Sequence, residues 1–318
     1  MKIVCAGLTV CDLIFRPMGI EVLQRDTSTA EDIRLLGGGD AFNVAVNLAN
    51  MNEKVSLLTR VGNDDLGEYL LGKLEKLGID TSWCKKVDIP TSASGVFVRT
   101  DGERSFLSYK GACHSLRAED FLEEALYETD YLYIGSAFDL PELDGEGMAQ
   151  VFEKAQSMGV KTVLDTTGEP EEKDLETISK VLKHTDYFLP SLREALRLTG
   201  EVSAQEAAKR FAQIGVTCVA IKLGEQGCLL YENGKVHKIP AYAAKVVDTT
   251  GAGDAFVAGF MKGLVSGDSH EKCAALGNVT GSIAVEQVGA SGYKFMKEEI
   301  ERRMQDVTRF EISKGEKK

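Results

Sequence analysis

VVDTTGAGDAFVAGFMKGL, Val246 to Leu264, sets two glycines and one carboxylate directly ahead of an apolar helical run. Gly251 and Gly253 carry no Cβ, so the chain can turn sharply and present several backbone N–H groups to a bound anion. The positive end of the following helix dipole adds to them. Asp254 lies at the junction of turn and helix. A carboxylate repels phosphate, so its place beside an anion site points to a chemical task. It could accept the proton of a hydroxyl as that oxygen attacks a phosphoryl group held by the turn. The same residues also read as an ordinary helix-entry turn, in which Asp254 stabilises the helix N-terminus by about 0.5 kcal/mol. The dipole is expected to lower the pKa of Asp254, making it a weaker base that positions the hydroxyl and takes the proton late.

Upstream of this stretch, short apolar runs at 3–9, 55–60, 131–135, 161–165, 187–189 and 218–222 alternate with helical patterns at 41–50, 66–77, 147–158, 192–198 and 204–213. That alternation predicts an α/β fold, a doubly wound and mostly parallel sheet flanked by helices on both faces. After Gly251 the chain reads as mainly helical, with further helices at 270–287 and 294–304 and a charged tail, EISKGEKK, expected to fray. Two segments, 15–36 and 91–110, break the alternation, the second as a hairpin around Asp101-Gly102. They are expected to form a small β lid, drawn from about 13–36 and 91–112, that closes over a ligand and excludes water. The alternative is a pair of ordinary surface hairpins. With no internal repeat or linker, 1–318 is expected to be a single domain.

The 318 residues are 43% hydrophobic, enough for one large core. A formal charge of −12 opposes binding to nucleic acid or an anionic membrane, so any phosphate site must be local. Seven cysteines with no C-x-x-C pair suit a reducing compartment, and four dispersed histidines offer no structural zinc site. The N-terminus, MKIVCAGLTVCD, reads as a first strand rather than a signal, and no run reaches membrane-spanning length. A soluble, cytoplasmic protein is expected.

GGGDAFNVAVNLAN, residues 37–50, again places glycines ahead of an apolar helix, with Asp40 and Asn43 in its first turn and Asn47 one turn below. Paired acceptors and donors beside bare glycine backbone suit the neighbouring hydroxyls of a polyol. An N-cap at Asp40, with Asn43 bonded to local backbone, fits the motif as well.

In order and spacing the chain resembles the ribokinase-like, or PfkB, family of carbohydrate kinases over nearly its whole length. The resemblance rests on GLTVCD, GGGDAFN, VSLLTRVGNDDLGEYLLGKLEKLGID, LGEQG at Leu223 to Gly227, DTTGAGDAF at Asp248 to Phe256, and VEQVGA at Val285 to Ala290. It implies a kinase that transfers the γ-phosphoryl group of ATP to a sugar hydroxyl. Asp254 would be the catalytic base, and Gly251, Ala252 and Gly253 the anion hole. Asp12, at the end of the first strand, would hold the sugar with Gly38, Gly39, Asp40 and Asn43. Lys110 would steady an anionic substrate, although a lone lysine on a hairpin is commonly just solvated. Lys222, Gly224 and Gly227 would lie along the nucleotide, and Asn278 would border the adenine.

The family's Asn-x-x-Glu is here Ser191-Leu192-Arg193-Glu194, so Glu194 would organise magnesium-bound water with Ser191 in place of asparagine. Asp248, Thr250 and Gly289 stand where some relatives bind a monovalent cation such as potassium. Asp165, in LDTTGE, reads most simply as a strand-end residue, and the absence of Asn and Arg after it weakens a keto-sugar-acid assignment. A nucleoside kinase is the alternative within the fold, its base slot furnished by Phe15, Phe97 and Phe106. A catalytically silent sugar-binding protein is another. An NAD-dependent oxidoreductase would need a glycine fingerprint after the first strand, where 3–12 offers only Gly7. Apolar lid edges predict a homodimer.

Overall fold

The structure, a computed structural model, describes residues 2–305 apart from 20, 21, 23, 100–103, 128 and 169–173. Its first part runs β1 (Lys2–Ala6), β2 (Val10–Arg16), β3 (Asp32–Gly38), α1 (Asp40–Asn50), β4 (Lys54–Leu58), β5 (Arg60–Gly62), α2 (Asp65–Lys76), β6 (Lys85–Val87), β7 (Ala93–Val98) and β8 (Arg104–Tyr109). The middle runs α3 (Glu123–Leu126), β9 (Tyr131–Ala137), α4 (Glu146–Ser157), β10 (Lys161–Thr166), α5 (Asp174–Leu182), β11 (Tyr187–Phe188), α6 (Leu192–Thr199) and α7 (Ala204–Ile214). The last part holds β12 (Cys218–Lys222), β13 (Cys228–Glu232), β14 (Lys235–Ile239), α8 (Ala252–Val265) and α9 (His270–Ala284).

Eight strands form the main sheet in the order β14-β13-β12-β11-β10-β9-β1-β4. From β4 to β12 the neighbours are parallel, as strands joined by helical crossovers must be, whereas β13 and β14 add an antiparallel edge. Parallel strands covered on both faces read as continuous apolar runs, and here alternate residues feed two cores. Ile3, Cys5, Leu57, Tyr133 and Val163 pack against α1, α8 and α9. Val4, Ala6, Leu132, Ile134 and Leu164 pack against α4, α5, α6 and α7. The chain winds outward from β1 in both directions, which puts the switch in strand order beside β1 and β9.

A second sheet, β3-β2-β7-β8, carries the two segments that broke the alternation. It also takes Asp12, which was expected at the end of the first strand. β1 stops at Ala6 because Gly7 adopts φ +134°, a conformation closed to other residues, and a Cβ there would lie 2.8 Å from the Gly135 carbonyl oxygen. Asp12 belongs instead to β2, opposite Leu36 and Ser94. The β13–β14 hairpin was not foreseen, although Asn233-Gly234, both at positive φ, is the expected turn chemistry. The Asp101-Gly102 turn and the EISKGEKK tail lie outside the described residues. No helix among the described residues is long and apolar enough to cross a membrane.

Candidate active site

Gly251 caps α8 in the left-handed region at φ 71°. A Cβ on it would meet the Ala290 carbonyl oxygen at 2.1 Å, so the turn into α8 closes only with glycine. Ala252 opens the helix and Asp254 follows in its first turn. The Asp254 carboxylate accepts a 2.8 Å hydrogen bond from Asn43 Nδ2, which joins the start of α8 to the start of α1. Burial pushes the Asp254 carboxyl well above the usual carboxylate range, and the nearby Asp40 charge pushes it further, against the Asn43 bond that lowers it. The dipole was expected to lower this pKa. It loses because half an elementary charge at a helix end is outweighed by withdrawal from water and a full like charge nearby.

Gly39, at φ 92°, is the residue before α1, and a Cβ there would meet the Leu8 carbonyl oxygen at 2.5 Å. Asp40 accepts from Ser136 Oγ at 2.7 Å and is itself raised, chiefly by burial. A Cβ on Gly38 would lie 2.3 Å from Asp12 Oδ2, so bare backbone admits that carboxylate. Burial pushes Asp12 up to about 6. Asn43 Oδ1 and both polar atoms of Asn47 are buried without a protein partner. Asn43 and Asp254 are thus joined by a hydrogen bond and Asp40 acts on Asp254 electrostatically, while Asp12 lies against the bare backbone of Gly38.

Lys222 Nζ donates to Asp165 Oδ2 at 2.6 Å, and a Cβ built on Gly253 would sit 3.6 Å from that ammonium. Burial disfavours the Lys222 charge, but Asp165, Glu194 and Asp254 together hold its pKa above the ordinary lysine value. Asp165 stands at the end of β10 as expected, and burial pushes it up to about 7 despite its bond to Lys222. That bond was invisible in sequence because its partner is 57 residues away. Ser191 and Glu194 form a reciprocal capping box. Ser191 N–H donates to Glu194 Oε2 at 2.7 Å, and Glu194 N–H donates to Ser191 Oγ at 3.3 Å. Both residue types thus have a local reason, while Glu194 also acts electrostatically on Lys222, Asp165 and Asp40.

Gly224, at φ 60°, has open space where a Cβ would stand, whereas a Cβ on Gly227 would lie 2.1 Å from the Ile239 carbonyl oxygen. Gly227 is thus fixed by packing. Asn278 Nδ2 donates to the carbonyls of Ile239 and Pro240, at 3.1 and 3.0 Å, so its amide fastens the chain leaving β14. Lys110, largely exposed, pairs with Asp139, which also lies 3.5 Å from His114 Nε2.

Asp248, Thr250 and Gly289 do converge. Asp248 Oδ1 accepts from Thr250 N–H at 2.9 Å, its Oδ2 accepts from Gly289 N–H at 3.1 Å, and Arg104 Nη2 stands 2.6 Å from Oδ1. The Thr250 and Gly289 carbonyls each lie 2.7 Å from the Tyr293 hydroxyl. Arg104, Ser136, Asp139 and Tyr293 were not singled out in the sequence, since each is placed by contacts between distant segments. Phe15 and Phe97 stack at 5.8 Å on the face of the small sheet opposite Asp12, by the period of two along paired β2 and β7. Of the three phenylalanines expected to form a base slot, Phe106 alone shares the Asp12 face.

A family profile described as pfkB family carbohydrate kinase matches residues 1–294. The ribokinase of Staphylococcus aureus is 28% identical, with 84% of this chain and 88% of that protein covered. The crystal structure of a ribokinase from Thermotoga maritima superimposes with a TM-score of 0.80 at 26% identity, over 96% of this chain and 99% of its own. The Arabidopsis thaliana ribokinase complexed with ribose and ATP has the same fold, with a TM-score of 0.80 at 24% identity, over 96% and 98% of the two chains.

Proposed function

The chain belongs to the pfkB family of carbohydrate kinases, and from that premise we propose that it transfers the γ-phosphoryl group of ATP to a hydroxyl of a sugar, with Asp254 as base. The observation that carries this reading is Asp254 itself. It is a carboxylate in the first turn of α8, raised in pKa, bonded to Asn43 and set directly after the glycine turn. A base with a raised pKa holds a proton more readily near neutral pH, which suits it to receive one from an attacking hydroxyl.

In this reading Asp12, Asp40 and Asn43 orient the sugar, and the close approach allowed by Gly38 and Gly39 admits its hydroxyls. The acceptor oxygen loses its proton to Asp254 while attacking the γ-phosphorus, and the N–H groups of Gly251, Ala252 and Gly253 receive the charge on the transferred group. Lys222, against Gly253, supplies a cation beside that charge, and the open backbone at Gly224 leaves room for the nucleotide. For magnesium the fit is good, since Asp40, Asp165, Glu194 and Asp254 crowd around a single lysine. Among the described residues no group of three such side chains is disposed to ligate a metal directly. Glu194, beside Ser191, would therefore hold the ion through water, where it would neutralise phosphate charge. The potassium ligand set fits less well. Asp248 already carries Arg104 and two backbone N–H donors, and no step is assigned to a monovalent cation.

The small sheet acts as the lid of one kinase unit, with the Asp12 face turned to the sugar. Its other face exposes Ile33, Leu35, Leu107 and Tyr109, so the apolar surface lies on the face rather than the edge, and a homodimer that covers it is our reading. Seven free thiols suit the reducing, ATP-rich cytoplasm.

A coupled ADP-release screen with MgATP tests the proposal against pentoses, hexoses, keto sugar acids, sugar phosphates and nucleosides, with Asp254→Asn as control. One strong sugar acceptor, lost in the variant, is expected. A nucleoside as the best substrate, or turnover that survives in Asp254→Asn, would overturn it.

A further inference from the structure

Arg104 opens β8 in the small sheet, yet its guanidinium reaches the loop that precedes α8. By the alternation of β8 it lies on the same face as Phe106, and through β7 and β2 on the same face as Asp12. Its target, Asp248, has a side chain only 6% exposed. A carboxylate so enclosed needs a counter-charge and a full set of donors, and it has both. Burial would raise its pKa, but the Thr250 and Gly289 N–H groups and Arg104 together hold it below the usual range. One carboxylate thereby fastens the approach to Gly251 and the loop at 285–293, and Tyr293 binds the same two segments through their carbonyls.

We propose that Arg104 is a positioning residue, whose docking on Asp248 lets the lid set the shape of the Gly251–Gly253 turn. The inference rests on reading that turn as the anion hole. Closure of the lid and readiness of the phosphoryl site are then one event, because the cation that completes Asp248 travels with the lid. Another lid contact, between Lys110 and Asp139, involves the loop after β9 rather than the turn. It serves as an internal comparison.

Hydrogen exchange read by mass spectrometry on the free protein tests this without any substrate. In Arg104→Ala, peptides covering 246–253 are expected to exchange about tenfold faster than in the parent, with Arg104→Lys in between and Lys110→Ala unchanged. Equal exchange in Arg104→Ala and the parent overturns the proposal. So does equal acceleration in Lys110→Ala, which would mean general loosening of the lid. With MgATP and the best acceptor from the screen, Arg104→Ala should lose about tenfold or more in kcat while the acceptor KM changes little, and added guanidinium chloride should restore part of the loss. Activity in Asp254→Asn would count against the anion-hole reading itself. A dead Asp254→Asn beside a fully active Arg104→Ala would leave that reading standing and remove Arg104 from it.

Discussion

Asn43 and Asp254, 211 residues apart, meet through a 2.8 Å hydrogen bond that ties the first turn of α1 to the first turn of α8. The bond matters because it opposes the two influences that raise Asp254, burial and the Asp40 charge. A carboxyl whose folded pKa stands above its unfolded value, here 3.8, costs stability once the pH exceeds that value, and the cost grows until the folded pKa is reached. Asparagine at 254 removes the cost and can still accept from Asn43. Asp254→Asn should therefore be more stable than the parent by about 0.5–2 kcal/mol near neutral pH, with the gain smaller at pH 5 than at pH 8. Calorimetry of both proteins at the two pH values checks this. A variant that is less stable, or whose advantage shrinks as pH rises, would refute the assignment of Asp254 as a strained base.

The two glycines of the turn should respond differently. At Gly251 a methyl group meets the Ala290 carbonyl oxygen at 2.1 Å and the backbone sits at φ 71°. Gly251→Ala should lose about 1–3 kcal/mol. At Gly253 the nearest atom to a new Cβ is Lys222 Nζ at 3.6 Å, an ordinary contact. Gly253→Ala should keep its thermal midpoint within about 1 °C, while, on the proposed anion-hole reading, its kcat falls because the methyl group obstructs the transferred phosphate. A fully active Gly253→Ala enzyme would place the anion elsewhere.

Gly251 was legible because a left-handed, crowded backbone leaves few residue choices, so composition itself records the geometry there. The helix entry at Asp40 was legible for the same kind of reason, whereas Ser191 and Glu194 drew notice only through the family resemblance and their capping box did not. What escaped were relations between segments. Asp12 sits on a strand of the small sheet because Gly7 ends β1, a break that one glycine in an apolar run does not announce. Asp165 with Lys222, and Arg104 with Asp248, are each joined by the fold alone. The raised pKa of Asp254 escapes a sequence reading because the local dipole can be read from sequence, whereas burial and the Asp40 charge depend on packing.

Potassium should have little effect. The Asp248 carboxylate expected to face a monovalent cation is neutralised by Arg104 and satisfied by two backbone donors. Exchanging potassium chloride for tetramethylammonium chloride at constant ionic strength, so that screening is unchanged, should leave kcat within about twofold. A tenfold stimulation by potassium would show that the ion displaces the guanidinium.

Lys222 and Asp165 form the buried pair whose two halves should be least equivalent. Removing the carboxylate with Asp165→Asn leaves the ammonium facing Glu194 and Asp254, so its charge is still compensated. Removing the ammonium with Lys222→Met leaves Asp40, Asp165, Glu194 and Asp254 without their shared cation. Breaking a buried pair from that side typically costs about 3–5 kcal/mol. The loss should depend on pH in a definite sense. Asp165 already titrates near 7 with the lysine present, and without it the folded-state pKa rises further, so the variant loses stability as pH climbs from 3.8 toward that value. Lys222→Met should thus be far less stable than the parent at pH 8 and approach it at pH 5, whereas Asp165→Asn should show a smaller deficit at both. Urea unfolding of the three proteins at the two pH values decides it, and a Lys222→Met deficit that is the same at both would mean the carboxylates do not depend on Lys222 for compensation.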